Sequence, residues 1–226
     1  DSKFDFHAYK EDGSTDGKWL KDERGTVVYA KYFTPLPSYD KKADKLFAFV
    51  EFVTSSLYRR LLGESRTPIV FLLTSTRLPA IASVRLENLQ TFNSFEKLEN
   101  LPNVSGDIGF EEYAAVSIFL GNFDCYNTGN FGLKNGKIAA IDFGFTFTLK
   151  FSNATTFLSY IALLITRYHH SANIEKAILA LNQLEFNLHR FIESIERVLT
   201  TPNEELLAKM GGDIDSFVKG CNFDWD

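Results

Sequence analysis

The sequence is short of two features that would each indicate a particular class of protein. It has only 2 cysteines in 226 residues, Cys125 and Cys221, which gives no disulfide framework and suits a reducing compartment. It also lacks any run of about 18 consecutive apolar residues, so we expect no transmembrane segment. The patterns H-E-x-x-H and C-x-x-C are absent, which argues against a zinc site.

Positive charge is outweighed by negative charge. The 24 Lys and Arg residues face 29 Asp and Glu residues, a net charge of -5, which argues against a dedicated nucleic-acid binder. Apolar surface, in contrast, is abundant: 45% of the residues are hydrophobic and 22 are Phe, enough to fill a substantial core. A chain of this length forms one domain or two small lobes around a cleft.

Periodicity divides the chain into a strand-rich first half and a helical second half. Residues 1–25 and 88–109 are polar, and we expect turns and irregular structure there. Strands are predicted at Thr26–Phe33, Pro68–Leu73, Ala80–Leu86 and Lys137–Ile141. Helices are predicted at Lys41–Leu62, Phe110–Leu120, Thr155–Tyr168, Asn173–Leu199 and, as a short one, Asn203–Met210. The pattern indicates an α+β fold, with a boundary between residues 1–87 and residues 88–226.

The most informative stretch is GNFDCYNTGNFGLKNGKIAAIDFGFTF, residues 121–147. Asp124 lies in a loop with Asn127 and Asn130, and Asp142 follows the apolar strand KIAAI. A plain polar turn would explain one or two such residues, but a carboxylate at the end of a buried strand needs a cation or hydrogen bonds to compensate it. Two acids and an amide on either side of a hairpin are what phosphoryl transfer with magnesium requires.

Two further charged residues precede this hairpin. Lys31 lies on the same strand face as Tyr29 and Phe33, so its ammonium either reaches a cleft to meet phosphate oxygens or faces water at a sheet edge. Glu51 flanks the apolar stripe of the first predicted helix. It either pairs with Lys31 or is an ordinary boundary glutamate; Glu64, past the helix end, is a weaker partner for Lys31.

The order Lys31, Glu51, Asp124, Asn130, Asp142 resembles that of the protein-kinase-like superfamily. The strand ending I-D-F-G is similar to that of the phosphoinositide kinases. The helix EFVTSSLYRRLLGESRTP resembles the E-x-x-x-S-x-x-Y helix, followed by G and P, of the atypical effector kinases that Legionella-type bacteria inject into host cells. The similarity covers roughly residues 18 to 150.

The resemblance implies a two-lobed protein-kinase-like fold, with a small β-rich N-lobe at residues 1–87 and a helical C-lobe at residues 88–226. It also implies ATP and Mg²⁺ or Mn²⁺ as cofactors. Lys31, held by Glu51, would contact the α and β phosphates. Asp124 would orient the acceptor hydroxyl, and Asp142 with Asn130 would bind the metal.

The sequence departs from the family pattern in several places. No G-x-G-x-x-G occurs in the first thirty residues, no His lies beside Asp124, and no A-P-E-like segment follows Asp142. Asn130 comes six residues after Asp124, one more than in the family. The metal ligand is therefore Asn130 or Asn127, and we prefer Asn130 because it leads into the following strand.

The resemblance leaves the acceptor open. A host protein and a phosphoinositide are both candidates; a pseudokinase that only binds, and a kinase fold that transfers AMP, are the alternatives. It also implies a bacterial effector secreted into the host cytosol, where it could act at a membrane surface. One basic cluster is either a solvated helix face or a site for an inositol polyphosphate or an anionic lipid headgroup: Lys41, Lys42, Lys45, Arg59 and Arg60.

Overall fold

The structure, a computed structural model, describes residues 4–9, 17–32, 41–73, 80–91, 108–122, 125, 129–144, 146–147 and 187–221. Five strands of its N-terminal part form one antiparallel sheet: β1 Phe4–Tyr9, β2 Gly17–Asp22, β3 Val27–Tyr32, β4 Val70–Leu73 and β5 Ala80–Val84. Their order across the sheet is β1-β2-β3-β5-β4. The strand β3, which carries Lys31, therefore lies in the middle of the sheet rather than at an edge.

The two faces of this sheet have different surroundings, because side chains alternate along each strand. One face carries a small apolar cluster of Leu20, Val28, Ala30 and Ala82. On the other face, Lys31 of β3 lies directly opposite Ile81 of β5, and Ile81 belongs to the main hydrophobic core. The alternation therefore directs Lys31 toward the interior of the protein.

Helix α1, Lys41–Leu62, packs against the sheet and carries Glu51. Its predicted apolar stripe contributes Leu57 and Leu61 to the main core. The helix ends at Gly63, whose N–H donates to the carbonyl of Arg59 at 3.1 Å, and a short 3₁₀ helix, Glu64–Arg66, follows. The predicted helix is confirmed with the same bounds.

A second, three-stranded antiparallel sheet has the order β6 Leu89–Thr91, β7 Phe131–Lys134, β8 Lys137–Ala140. A two-residue turn joins β7 to β8. Both turn residues, Asn135 and Gly136, have left-handed backbone (φ 53° and 76°), the conformation that a tight hairpin favours. Ile138 and Ala140 are fully buried, so the strand that leads to Asp142 is anchored in the core.

Three helices complete the described part of the chain: α2 Phe110–Phe119, α3 Leu188–Thr200 and α4 Asn203–Cys221. Helix α3 packs on α2, and α4 packs on α1. Salt bridges support the first contact, since Glu111 pairs with Arg190 at 3.1 Å and Glu112 with Arg197 at 3.4 Å. The predicted α+β fold, with a β-rich N-terminal part and a helical C-terminal part, is confirmed.

Three sequence predictions of secondary structure are wrong. Residues 1–25 contain β1 and β2, and residues 88–109 contain β6, because pairing with neighbouring strands stabilises these segments: β1 pairs with β2, β2 with β3, and β6 with β7. The helix predicted at Asn173–Leu199 is wrong at Asn187, which has extended backbone; residues 173–186 of that prediction lie outside the described residues. The Asn187 side chain accepts from the amides of His189 and Arg190, so it caps a helix that begins at Leu188.

Helix α4 runs to Cys221, well beyond the predicted end at Met210, and its buried Leu206 is part of the main core. The predicted helix Thr155–Tyr168 lies outside the described residues, and the boundary between residues 1–87 and 88–226 stays a prediction. Within the described segments, no helix is both long enough and apolar enough to cross a membrane.

Candidate functional site

Three side chains from three separate elements meet at one ammonium group. Nζ of Lys31, on β3, lies 2.8 and 3.0 Å from the two carboxylate oxygens of Glu51 on α1. The same nitrogen lies 3.0 Å from Oδ2 of Asp142, which follows β8. The sheet, the helix and the hairpin are thus joined at Lys31.

Both members of the Lys31–Glu51 pair are buried. Their side chains are only 7% and 3% exposed, which excludes a lysine facing water and an ordinary boundary glutamate. Glu64, the weaker candidate partner, is 85% exposed and lies 3.5 Å from Arg59. The structure therefore selects Glu51 as the partner of Lys31.

The electrostatics keep this lysine charged. Burial by itself lowers the pKa of a lysine, but here the negative charges of Asp142 and Glu51, and the hydrogen bonds to both, outweigh burial and raise the pKa of Lys31. Three carboxylate oxygens, two of Glu51 and one of Asp142, lie within 3.0 Å of its nitrogen. A permanent cation of fixed orientation is a suitable partner for phosphate oxygens.

Asp142 is positioned by the residues that follow it. Its Oδ1 accepts from the amide of Gly144 at 3.2 Å. The ring of Phe143 is fully buried and lies 4.7 Å, centroid to centroid, from that of Tyr58. The Asp142 side chain is itself one-third exposed, so a ligand can reach it. The cation expected to compensate this carboxylate is, in the structure, the ammonium of Lys31.

Asn130 lies beside Asp142 across the β7–β8 hairpin. The amide of Ile141 donates to the carbonyl of Asn130 at 2.9 Å, which makes Asn130 and Asp142 near neighbours at one end of the hairpin. Asn130 is buried. Asp124 and Asn127 lie outside the described residues, so the roles predicted for them, and the choice between the two asparagines, stay predictions.

The oxygen-bearing side chains predicted to hold a metal suit magnesium. Mg²⁺ prefers oxygen ligands and is commonly held by one or two carboxylates together with substrate phosphates. The sequence predicts Asp142, with its carboxylate, and Asn130, with its amide oxygen, as the ligands. In the described ranges no group of three or more His, Cys, Asp and Glu side chains could hold a metal.

An aromatic pair lies next to Lys31, and sequence reasoning found only half of it. Trp19 of β2 is directly opposite Tyr29 of β3, with ring centroids 5.1 Å apart. A Cβ at Gly17, which is opposite Lys31, would lie 1.9 Å from the Tyr29 hydroxyl oxygen. The Tyr29 ring therefore crosses β2 beside Lys31. The signal in the sequence was Gly17 two residues before Trp19, because on one face of a strand a glycine leaves room beside the tryptophan for another ring.

A buried polar cluster near the site was also missed. Tyr58, Ser117 and Asn122 are joined by hydrogen bonds and are at most 1% exposed. Tyr58 had been noted only as part of the E-x-x-x-S-x-x-Y helix. Periodicity marks such a tyrosine as core, and it does not reveal which polar groups its hydroxyl contacts.

Two cations of the basic cluster are engaged within the protein. Arg59 donates to the carbonyls of Glu64 and Thr67 at 3.2 and 2.9 Å, and Arg60 lies 2.6 Å from Glu205 of α4. Both arginines thus help to hold the end of α1. The side chains of the three lysines, Lys41, Lys42 and Lys45, lie outside the described part.

Comparisons with known proteins point to kinase structures. The chain is similar to the crystal structure of a Helicobacter pylori proinflammatory kinase, CtkA, with 13% identity, a TM-score of 0.45, and coverage of 97% of this chain and 95% of that one. It is also similar to the Rio2 kinase–ADP/Mg²⁺–phosphoaspartate complex from Chaetomium thermophilum, with 11% identity, a TM-score of 0.43, and coverage of 95% and 72%.

No protein-family model matches the chain, and no curated protein matches it significantly. The roles proposed below come from the side chains of this chain.

Proposed function

We propose that the protein is an ATP- and magnesium-dependent phosphotransferase, a kinase of atypical sequence. The observation that carries the proposal is the buried ammonium of Lys31, bonded to Glu51 on one side and to the partly exposed Asp142 on the other. A fixed cation beside a carboxylate that a ligand can reach is suited to bind a nucleoside triphosphate together with its metal ion.

The residues have separate tasks in this proposal. Lys31 binds the α and β phosphates, and Glu51 keeps its ammonium in one orientation. Asp142 and Asn130 would hold magnesium, which when bound neutralises the charge of the phosphates. Asp124 orients the acceptor hydroxyl for in-line attack. Positioning and charge neutralisation supply most of the rate in such a reaction.

We propose a protein hydroxyl or an inositol lipid of a host cell as the acceptor, with the protein acting as a bacterial effector in the host cytosol. The resemblance to injected effector kinases supports this proposal. An anionic headgroup would be bound by Lys41, Lys42 and Lys45, because Arg59 and Arg60 already have partners. A reporter fused to the chain in a secretion-competent bacterium should give a signal in the host cytosol, and a signal retained in the bacterium would contradict delivery.

Labelled nucleotides test the reaction itself. The protein is incubated with Mg²⁺ and ATP labelled at the γ or the α phosphate, in the presence of protein and lipid acceptors. γ-label on a protein or on a lipid supports the kinase and identifies the acceptor class. α-label in the product indicates AMP transfer, and nucleotide binding with no transfer indicates a pseudokinase.

The substitution Asp142→Ala should lower γ-label transfer by at least about a hundredfold, because the carboxylate that would hold the metal is lost. Glu64→Ala is the matched control, since this carboxylate is exposed and has no proposed role. Circular dichroism should show both variants folded. If Asp142→Ala transferred phosphate at the rate of the wild type, the assignment of Asp142 would be wrong.

A further inference from the structure

Two buried tyrosine hydroxyls contact the chain on either side of Asp124. On the preceding side, the side-chain amide of Asn122 donates to the Tyr58 hydroxyl oxygen at 3.0 Å. On the following side, the Tyr113 hydroxyl donates to the carbonyl of Cys125 at 2.7 Å. The anchored residues are thus two positions before Asp124 and one position after it.

These contacts are in the interior, where a hydrogen bond is difficult to replace. Tyr58, Asn122 and Cys125 are at most 1% exposed, and Tyr113 is 2% exposed. Water does not reach such groups, so breaking one of these bonds leaves a polar atom buried without a partner. The Tyr58 hydroxyl also donates to Oγ of Ser117 on α2 at 2.9 Å, which fixes the direction of its own proton.

The protonation state supports this role for Tyr58. Burial, with the neighbouring Cys125 thiol adding to it, raises the pKa of the Tyr58 hydroxyl, although the hydrogen bonds with Ser117 and Asn122 act in the opposite direction. The hydroxyl therefore remains protonated across the physiological range and keeps its bond to Ser117.

Tyr58 also belongs to the element that carries Glu51. The two residues lie seven positions apart on α1, about two helical turns, and the Tyr58 ring stacks on Phe143, next to Asp142. Tyr58 thus lies on the same helix as Glu51, the partner of Lys31, and contacts Phe143, the residue after the proposed metal ligand, and Asn122, two positions before Asp124. A phenylalanine would fill the same space, so what the hydroxyl adds is the connection to Asn122.

We propose that Tyr58 and Tyr113 are positioning residues that hold Asn122 and Cys125, the described residues on either side of Asp124, in place relative to the Lys31–Glu51–Asp142 cluster. The inference rests on the proposed function, because it assigns the segment around Asp124 a place in phosphoryl transfer. Tyr58 acts through Asn122, and Tyr113 acts through the backbone of Cys125. Neither tyrosine touches the nucleotide or the acceptor.

The test uses Tyr58→Phe and Tyr113→Phe, which keep the rings and remove only the hydroxyls. Ser55→Ala is the matched control: its buried hydroxyl also lies on α1 but donates to the carbonyl of Phe52 within the same helix. Each tyrosine variant should lower kcat about five- to tenfold while the KM for ATP stays within about twofold, because the Lys31–Glu51 pair is unchanged. Ser55→Ala should leave both parameters unchanged.

Hydrogen exchange of the peptide covering residues 121–130 provides a second measurement that does not depend on catalysis. It should be faster in both tyrosine variants than in Ser55→Ala. Unchanged kcat in the tyrosine variants, with an active wild type, would overturn the positioning role and leave the proposed function intact. If the wild type binds ATP without transferring phosphate, the proposed function fails. The rate of hydrogen exchange in residues 121–130 then decides whether the tyrosines hold this segment. A rate unchanged in both tyrosine variants would overturn the positioning role as well.

Discussion

Replacing Lys31 with methionine should destabilise the protein strongly. The substitution keeps most of the side-chain volume but removes the ammonium that bonds both carboxylate oxygens of Glu51. Glu51 is 2% exposed, so its charge would stay in the interior after losing the ammonium that bonds both of its oxygens. Breaking a buried ion pair from one side costs about 3–5 kcal/mol, and we expect Lys31→Met to fall in this range.

A double variant separates the loss of the pair from the loss of volume. Replacing a buried ion pair with apolar residues of similar size is often nearly neutral, so Lys31→Met combined with Glu51→Leu should recover most of the loss. Urea unfolding at pH 7, monitored by circular dichroism, measures the free energy of unfolding of the single and the double variant. With a slope of about 2–3 kcal/mol per molar urea, the single variant should shift the midpoint by roughly 1–2.5 M.

Lowering the pH supplies an independent check, since a buried carboxylate without a cation takes up a proton more readily. The difference between the wild type and Lys31→Met should therefore narrow as the pH falls toward 4. The reasoning would be refuted if the single variant cost less than about 1 kcal/mol, below what a broken buried pair costs. It would also be refuted if the double variant were less stable than the single one.

Three further results are expected. The pKa of Lys31 in the folded protein is raised above its ordinary value of 10.5. The stability that the pair contributes is therefore complete below pH 10.5 and declines as the pH rises toward the higher folded-state pKa. Urea unfolding between about pH 9 and about pH 11.5 should show this decline in the wild type and a weaker one in the double variant. Gly17→Ala should cost about 1–3 kcal/mol, because its Cβ would lie 1.9 Å from the Tyr29 hydroxyl oxygen. In thermal unfolding the same substitution should cost much less when it is made in a Tyr29→Ala background, and an equal cost in both backgrounds would contradict the contact. Arg66→Ala should cost about 2–4 kcal/mol, since the guanidinium bonds the carbonyls of Ile138 and Gly109 as well as the Glu112 carboxylate; a loss below 1 kcal/mol in urea would count against that network.

Prediction from sequence succeeded where local pattern and burial coincide. The helix at residues 41–62 has an apolar stripe and a glycine at its end, and the structure gives it the same bounds. The strand at residues 137–140 is apolar and fully interior apart from its first residue. In the helix the period of the apolar side chains indicates which face is buried, whereas in the strand an unbroken apolar run indicates that both faces are buried.

Prediction from sequence failed where an element is stabilised by a partner that is distant in the chain. The polar strand β2 pairs with β3 on one side and with β1 on the other, and these bonds are invisible in its composition. The apolar period of the sequence continues through Asn187, yet the Asn187 side chain accepts two backbone N–H groups and caps the helix that begins at Leu188. An asparagine caps a helix in this way only when its own backbone is non-helical, and a hydrophobic period does not show this.

For the candidate site, the sequence by itself determined which residue types are present and at which ends of which elements they stand. It placed a lysine in a strand, a glutamate beside an apolar stripe and an aspartate after a buried strand. Only the tertiary structure decided that Lys31 faces inward and that its ammonium joins partners 20 and 111 positions away in the chain. The physical reason is that a charge is stable in the interior only when opposite charges surround it there, and residues so distant in sequence come together only through folding.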